Sequence, residues 1–357
     1  MQDNERRRTP AHAHDHAPIH AAEAPLSLTV HSPAGRVARG GELTRALRHL
    51  RRIGFDARLD EAARAGHQRF AGDDDVRLAA LHRVARDGRD IALAARGGYG
   101  LTRLLERIDY ALIAKSIDAG KRWVGHSDCT AFQLAVLAHT KRSTWAGPLA
   151  CYDFGRVAQS PATGRDPAGQ TAAEPENHGL DAAPAATGKK PLPLIDEVTE
   201  ACFVEAMHGQ LEAVGFRTEA GFDGLHARGV LWGGNLSVLL SLLGTKHWPR
   251  VKGGVLFLED VNEHPYRVER MLLQLHQAGV IDAQQAVLLG TFSDFRPSPL
   301  DRGYRLGTAV AQLRGLARTP VLTGLPFGHV PTKVCLPVGR RVDVVVERRD
   351  VLVGWGH

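Results

Sequence analysis

Long apolar runs are missing from this 357-residue sequence. No stretch approaches the roughly 20 apolar residues that span a bilayer, and the polar, histidine-rich beginning lacks the apolar segment of a signal peptide. A cytoplasmic protein with no membrane partner is expected. Cysteine is scarce: Cys129, Cys151, Cys202 and Cys335 lie far apart with no CxxC spacing, which argues against a disulfide framework and fits a reducing compartment. Aromatic residues make up only 6% of the chain, too few to suggest the stacking platforms of single-strand binders. The formal net charge is +6, yet arginines such as Arg45, Arg48, Arg51 and Arg52 are mixed with apolar positions and read as a solvated helix face. Nucleic acid is not an expected partner. Several catalytic signatures are also lacking. There is no HExxH for zinc and no Walker A loop, and Gly97-Gly98-Tyr99-Gly100 lacks the third glycine of a dinucleotide fingerprint. The S-x-x-K of penicillin-binding enzymes does not occur either. A hydrolase with no cofactor and no metal leads by elimination.

What is present is a chain 43% apolar, enough to fill two α/β domains. Residues 1–24 hold Arg6-Arg7-Arg8 and then His12, His14 and His16, with little to build a core, and read as a disordered arm to which no metal is assigned. Strand and helix patterns then alternate through residues 25–154: Leu26–His31, Ile91–Ala95 and Arg122–Gly125 as strands, with helices over 42–53, 76–87, 101–108 and 130–140. Alternation of this kind predicts a parallel sheet covered by helices, with ligands bound at the carboxyl ends of the strands. Residues 155–193, rich in Ala, Pro, Gly and Thr, read as a low-complexity insertion or linker. Residues 194–357 form the second domain, mixed α/β and β-rich towards the end. Strands are expected over 227–231, 255–258 and 286–292, helices over 236–243 and 267–278, and a turn at Trp232-Gly233-Gly234-Asn235.

Two short stretches stand where strand patterns give way to helical ones. Arg96-Gly97-Gly98-Tyr99-Gly100 offers backbone N–H groups with no side chains in the way. Gly125-His126-Ser127-Asp128 presents a serine on a sharp turn, with the Asp128 N–H directed at a developing oxyanion. The second glycine of the G-x-S-x-G elbow is absent, Cys129 standing in its place, and an ordinary helix N-cap at Ser127-Asp128 is the competing account. A serine nucleophile needs a base, a carboxylate to orient it, and oxyanion donors. His329, in the Gly- and Pro-bounded loop Gly324–Pro331, suits the base. Glu259, at the end of Val255–Leu258, suits the carboxylate, with Asp260 and Glu263 as competitors for that role.

Six stretches in order along the chain carry a resemblance: Arg96-Gly-Gly-Tyr-Gly with Arg103-Leu-Leu, Gly125-His-Ser-Asp, Trp145-Ala-Gly-Pro, Trp232-Gly-Gly-Asn-Leu-Ser, Leu256-Phe-Leu-Glu-Asp with Pro265-Tyr-Arg, and Gly328-His329. Together they resemble the LD-carboxypeptidase family of serine peptidases, which includes the microcin C immunity peptidases. The resemblance implies Ser127 as nucleophile, His329 as general base and Glu259 as orienting acid, with Gly98 and Asp128 as oxyanion-hole donors. It also implies a flavodoxin-like N-terminal domain, a smaller β-rich C-terminal domain, a cleft between them and a homodimer. His126 departs from the family pattern, where an aromatic is commoner. The expected reaction is release of D-alanine from the L-centre of a murein tetrapeptide, with a muropeptide as partner. Arg267 or Arg270 would hold the substrate carboxylate, and Trp232 would line the pocket. Hydrolysis of a peptidyl nucleotide and non-catalytic muropeptide binding are the alternatives.

Overall fold

A computed structural model describes residues 24–38, 41–156 and 195–356. The histidine-rich arm and nearly all of the 155–193 insertion lie outside the described residues, as do His12, His14 and His16. The first half runs β1 (Ser27–His31), α1 (Glu42–Arg52), β2 (Asp56–Leu59), α2 (Asp74–Arg86), β3 (Ile91–Ala94), α3 (Tyr110–Asp118), β4 (Arg122–Gly125), α4 (Cys129–Thr140) and β5 (Thr144–Ala146). The second runs α5 (Glu197–His208), β6 (Ala213–Arg217), β7 (His226–Asn235), α6 (Leu236–Ser241), β8 (Val255–Val261), α7 (Pro265–Gln277), β9 (Ala286–Ser293), α8 (Leu306–Leu316), β10 (Val321–Thr323), β11 (Leu336–Val338), β12 (Arg341–Glu347) and β13 (Asp350–Gly354). The architecture is a two-domain α/β fold, with a parallel N-terminal sheet and a mixed, β-rich C-terminal sheet.

The N-terminal sheet has the order β11-β5-β4-β3-β1-β2. Strands β2-β1-β3-β4-β5 are parallel and follow the flavodoxin-like winding, whose direction reverses between β1 and β3. Only β11, from the far end of the chain, joins antiparallel to β5. The expected split at 154/194 is therefore crossed by one C-terminal strand. The second sheet has the order β10-β9-β8-β7-β12-β13-β6, with β7 to β10 parallel and β12, β13 and β6 antiparallel. Strand β3 and the Val255–Leu258 part of β8 are continuous apolar runs and are buried throughout. Helix α4 is buried along Cys129–Leu137 and packs on α3, α6 and β7, joining the two halves behind the Ser127 turn.

Two expectations need correction. The helix placed over 101–108 is a single 3₁₀ turn, Leu101–Arg103, and the regular helix begins later at Tyr110. Asp109 starts it by accepting the Leu112 N–H at 2.9 Å. Trp232–Asn235 is not a turn but the end of the ten-residue strand β7. Its glycines mark close approach: a Cβ on Gly233 would lie 1.9 Å from the Phe257 carbonyl oxygen, and one on Gly234 2.4 Å from Thr130 Oγ1.

Candidate active site

The carboxyl ends of β3 and β4 in one sheet and of β7 and β8 in the other supply most of the site, and the loop after β10 completes it. Ser127 follows β4 with φ 63°, a left-handed conformation uncommon for a non-glycine residue and typical of a strained nucleophile turn. The turn is closed by the Cys129 N–H donating to the His126 carbonyl at 3.2 Å and the Thr130 N–H to that of Ser127 at 2.9 Å. Gly97 lies directly against it. A Cβ there would stand 2.6 Å from Ser127 Cβ and 2.8 Å from its Oγ.

Asp128 occupies the N-cap position of α4, but its carboxylate does not cap that helix. It accepts the Leu101 N–H at 2.8 Å and so fastens the serine turn to the end of the Gly97–Gly100 loop. Burial pushes the Asp128 carboxyl up to about 6, against the pull of the N–H groups it accepts. The backbone N–H groups of Gly98 and Asp128 donate to no other group among the described residues. Gly98 itself is exposed, with φ 97°.

Glu259 is fully buried at the end of β8, opposite Asn235 in the β7–β8 register. Its Oε2 accepts the His329 Nδ1 hydrogen at 2.8 Å, and its Oε1 accepts from Asn235 Nδ2 at 3.1 Å. Burial alone would raise the Glu259 carboxyl, but the facing imidazoles His329 and His126 bring it well below the usual carboxylate range. Burial likewise opposes a proton on His329, and the Glu259 carboxylate outweighs it, so His329 titrates above an ordinary imidazole. With Nδ1 donating to Glu259, Nε2 carries the lone pair a general base needs. No hydrogen bond joins Ser127 Oγ to His329 among the described residues. The two turns meet through His126, whose ring centroid lies 4.4 Å from that of His329.

The competitors for the carboxylate role are placed elsewhere. Asp260 accepts from Asn235 Nδ2 at 2.9 Å and from the Ser237 N–H at 2.8 Å, and burial with the neighbouring Glu259 charge pushes it up to about 6. Glu263 pairs with Arg267. Arg267 is exposed in the first turn of α7 and Arg270 is exposed on the same helix. Trp232 was expected at the pocket but is core. Only 1% exposed, it donates its indole N–H to Gln284 at 3.0 Å and packs edge-on against Trp248.

Sequence reasoning missed Asn235. Its amide holds both carboxylates, its Oδ1 accepts the Val238 N–H to start α6, and its own N–H donates to Thr130 Oγ1 on α4 at 3.0 Å. An asparagine ending a strand next to an apolar helix was the available signal. Lys333, fully buried, was missed as well; it pairs with Asp153 and donates to the Val330 carbonyl, anchoring the loop that carries His329.

The N-terminal domain model of the LD-carboxypeptidases matches residues 28–147, and the C-terminal domain model matches residues 228–344. The solved muramoyltetrapeptide carboxypeptidase from Oxalobacter formigenes is 34% identical, with 93% of this chain and 99% of that one covered and a TM-score of 0.75. The chain belongs to the LD-carboxypeptidase family. The murein tetrapeptide carboxypeptidase of Pseudomonas aeruginosa, another LD-carboxypeptidase relative, is 29% identical over 87% of this chain and 90% of its own length. The microcin C7 self-immunity protein MccF, solved with aspartyl sulfamoyl adenosine, shares the fold at 20% identity, with a TM-score of 0.73 over 93% of this chain and 98% of its own. As a member of this family the chain is a serine-peptidase-type hydrolase.

Proposed function

We propose that this LD-carboxypeptidase cleaves the bond between the L-centre of a diamino acid and terminal D-alanine in murein tetrapeptides, as a cytoplasmic homodimer serving cell-wall recycling. The observation that carries the reading is the buried Glu259–His329 hydrogen bond set beside a strained serine turn with two undonated backbone N–H groups. His329 Nε2 takes the Ser127 Oγ proton as the oxygen attacks the scissile carbonyl. The tetrahedral oxyanion is held by the Gly98 and Asp128 N–H groups, and Glu259 stabilises the imidazolium. His329 then passes the proton to the departing D-alanine amine. Water, deprotonated by the same imidazole, releases the acyl group from Ser127.

Two supports converge on this substrate: the motif order and the names of the similar carboxypeptidases. Inverting the residue before the scissile bond is expected to move its side chain into space meant for backbone, which keeps the carbonyl from reaching Ser127 and both donors together. The test measures released D-alanine chromatographically. Release from L-alanyl-D-glutamyl-meso-diaminopimelyl-D-alanine is expected, with none from the pentapeptide ending in D-alanyl-D-alanine, little inhibition by penicillins and no loss on adding chelator. Turnover of the pentapeptide alone, or of a nucleotide-linked amino acid in place of the tetrapeptide, overturns the assignment.

A further inference from the structure

His126 takes no part in the chemistry above. It is 2% exposed, and both of its ring nitrogens are buried without a hydrogen-bond partner. The nearest acceptor, Glu259 Oε1, stands 3.5 Å from Nε2, beyond the range of a normal N–H···O bond. An imidazole buried in that state is rare, because buried polar atoms ordinarily find partners. Its surroundings suggest the missing one. Phe327 packs edge-on at 5.1 Å on one side, and His329 lies alongside at 4.4 Å. One donor atom each from His126, Glu259 and His329 fall within 4.8 Å of one another.

Two imidazoles and a carboxylate make a His₂Glu set, which binds zinc with a fourth position open to water. Tetrahedral zinc with bonds of about 2.0–2.2 Å holds its ligand atoms about 3.4 Å apart. His126 Nε2 stands 3.5 Å from Glu259 Oε1, His329 Nδ1 stands 2.8 Å from Glu259 Oε2, and with one ligand atom taken from each residue no separation in the set exceeds 4.8 Å, so modest side-chain rotations bring the three around one ion. Lys333, a buried cation close by, is neutralised by Asp153. The ligands also come from three separate parts of the fold: the turn after β4, the end of β8 and the loop after β10.

We propose that His126, Glu259 and His329 bind one divalent ion of the zinc class, and that its binding switches the hydrolase off. Coordination through His329 Nδ1, the atom that faces Glu259, moves the ring proton to Nε2. An Nε2–H cannot accept the Ser127 proton, and Glu259 is drawn onto the metal. The same atoms thus serve either as a base with its carboxylate or as a ligand set. The inhibitory part rests on the triad reading; the binding part does not.

The test uses the full chain with His12, His14 and His16 replaced by alanine, so that the N-terminal histidines contribute no site. Zinc affinity is read by competition with a chromophoric zinc indicator. One ion per chain is expected, with affinity at least tenfold weaker in His126→Gln and in Glu259→Gln, and unchanged in Ser127→Ala. Turnover of the tetrapeptide is expected to fall with the same midpoint as binding, to return on adding EDTA, and to persist under zinc in His126→Gln. Absence of a stoichiometric site, or equal affinity in both ligand variants, overturns the proposal. Full turnover with the site occupied overturns its inhibitory part. If the tetrapeptide proves not to be a substrate, the binding measurement still decides whether the site exists.

Discussion

His329 and Glu259 set each other's charge. Burial works against both ionised forms, and each is ionised more readily because the other is near, which lifts the imidazole and lowers the carboxyl. A general base must be neutral, so kcat/KM is expected to rise with pH along an acid limb centred above 6.5, the ordinary value for histidine. In Glu259→Gln the limb should move to lower pH while the rate falls, because the lifting charge and the orienting acceptor are lost together; pH–rate profiles of both proteins check this. Stability runs the other way. A raised folded-state value makes the His329 contribution complete below about pH 6.5, and it is lost as pH rises through the folded value. Denaturant midpoints at pH 6 and pH 8 should therefore converge in His329→Gln. Ser127→Ala and His329→Ala are each expected to cut kcat on the order of 10⁴- to 10⁶-fold, with the double variant no slower than either single one. Multiplying losses would show that the two residues do not act as a unit.

Strand ends and helix starts, rather than whole elements, bring the site together. The turn after β3 must pass so close to the serine turn that only glycine fits at position 97. Gly97→Ala is expected to displace Ser127 and lower kcat about 100-fold with only a small loss of melting temperature. Steady-state kinetics beside a thermal melt separates that outcome from unfolding. At the junction of β7 and α6, Asn235 is both a helix cap and the donor that satisfies Glu259 and Asp260. Asn235→Ala leaves two buried carboxylates short of a donor and the helix uncapped, a destabilisation of about 2–4 kcal/mol. Asn235→Asp restores the cap but sets a third carboxylate beside the other two, so chemical denaturation should show no full rescue.

The whole molecule is held in register at the site by contacts between its two halves. Lys333 and Asp153 form an ion pair in which both side chains are almost wholly buried. It links the segment after β5 to the loop carrying His329. Lys333→Met should cost about 3–5 kcal/mol by leaving Asp153 uncompensated, and adding Asp153→Leu should recover a large part of it. Additive losses in the double-mutant cycle would mean that the pair is not the source of the effect. Thr130 of α4 and β11 of the N-terminal sheet make further bonds across the halves.

Much of the site was legible in the chain because its parts are local. Gly-rich and serine turns sit where an apolar strand pattern ends, a carboxylate closes the run Val255–Leu258, and a histidine lies in a Gly–Pro loop. Periodicity alone was enough for the alternating α/β order and for β1, β3 and β4, three of the six strands of the first sheet. It failed where tertiary packing outweighs local preference. Gly233 and Gly234 resemble a turn in sequence, but they let β7 press against β8 and α4. Trp232 resembles a pocket residue, yet its indole finds Gln284 in the core. The choice of Glu259 over Asp260 and Glu263 could not follow from spacing, since all three lie within five residues. In the folded chain it is Glu259, and neither of the other two, that meets the His329 ring. The partnerless nitrogens of His126 are invisible in any sequence for the same reason: they depend on Glu259 and His329, residues 133 and 203 positions away, which only the folded chain brings to its side.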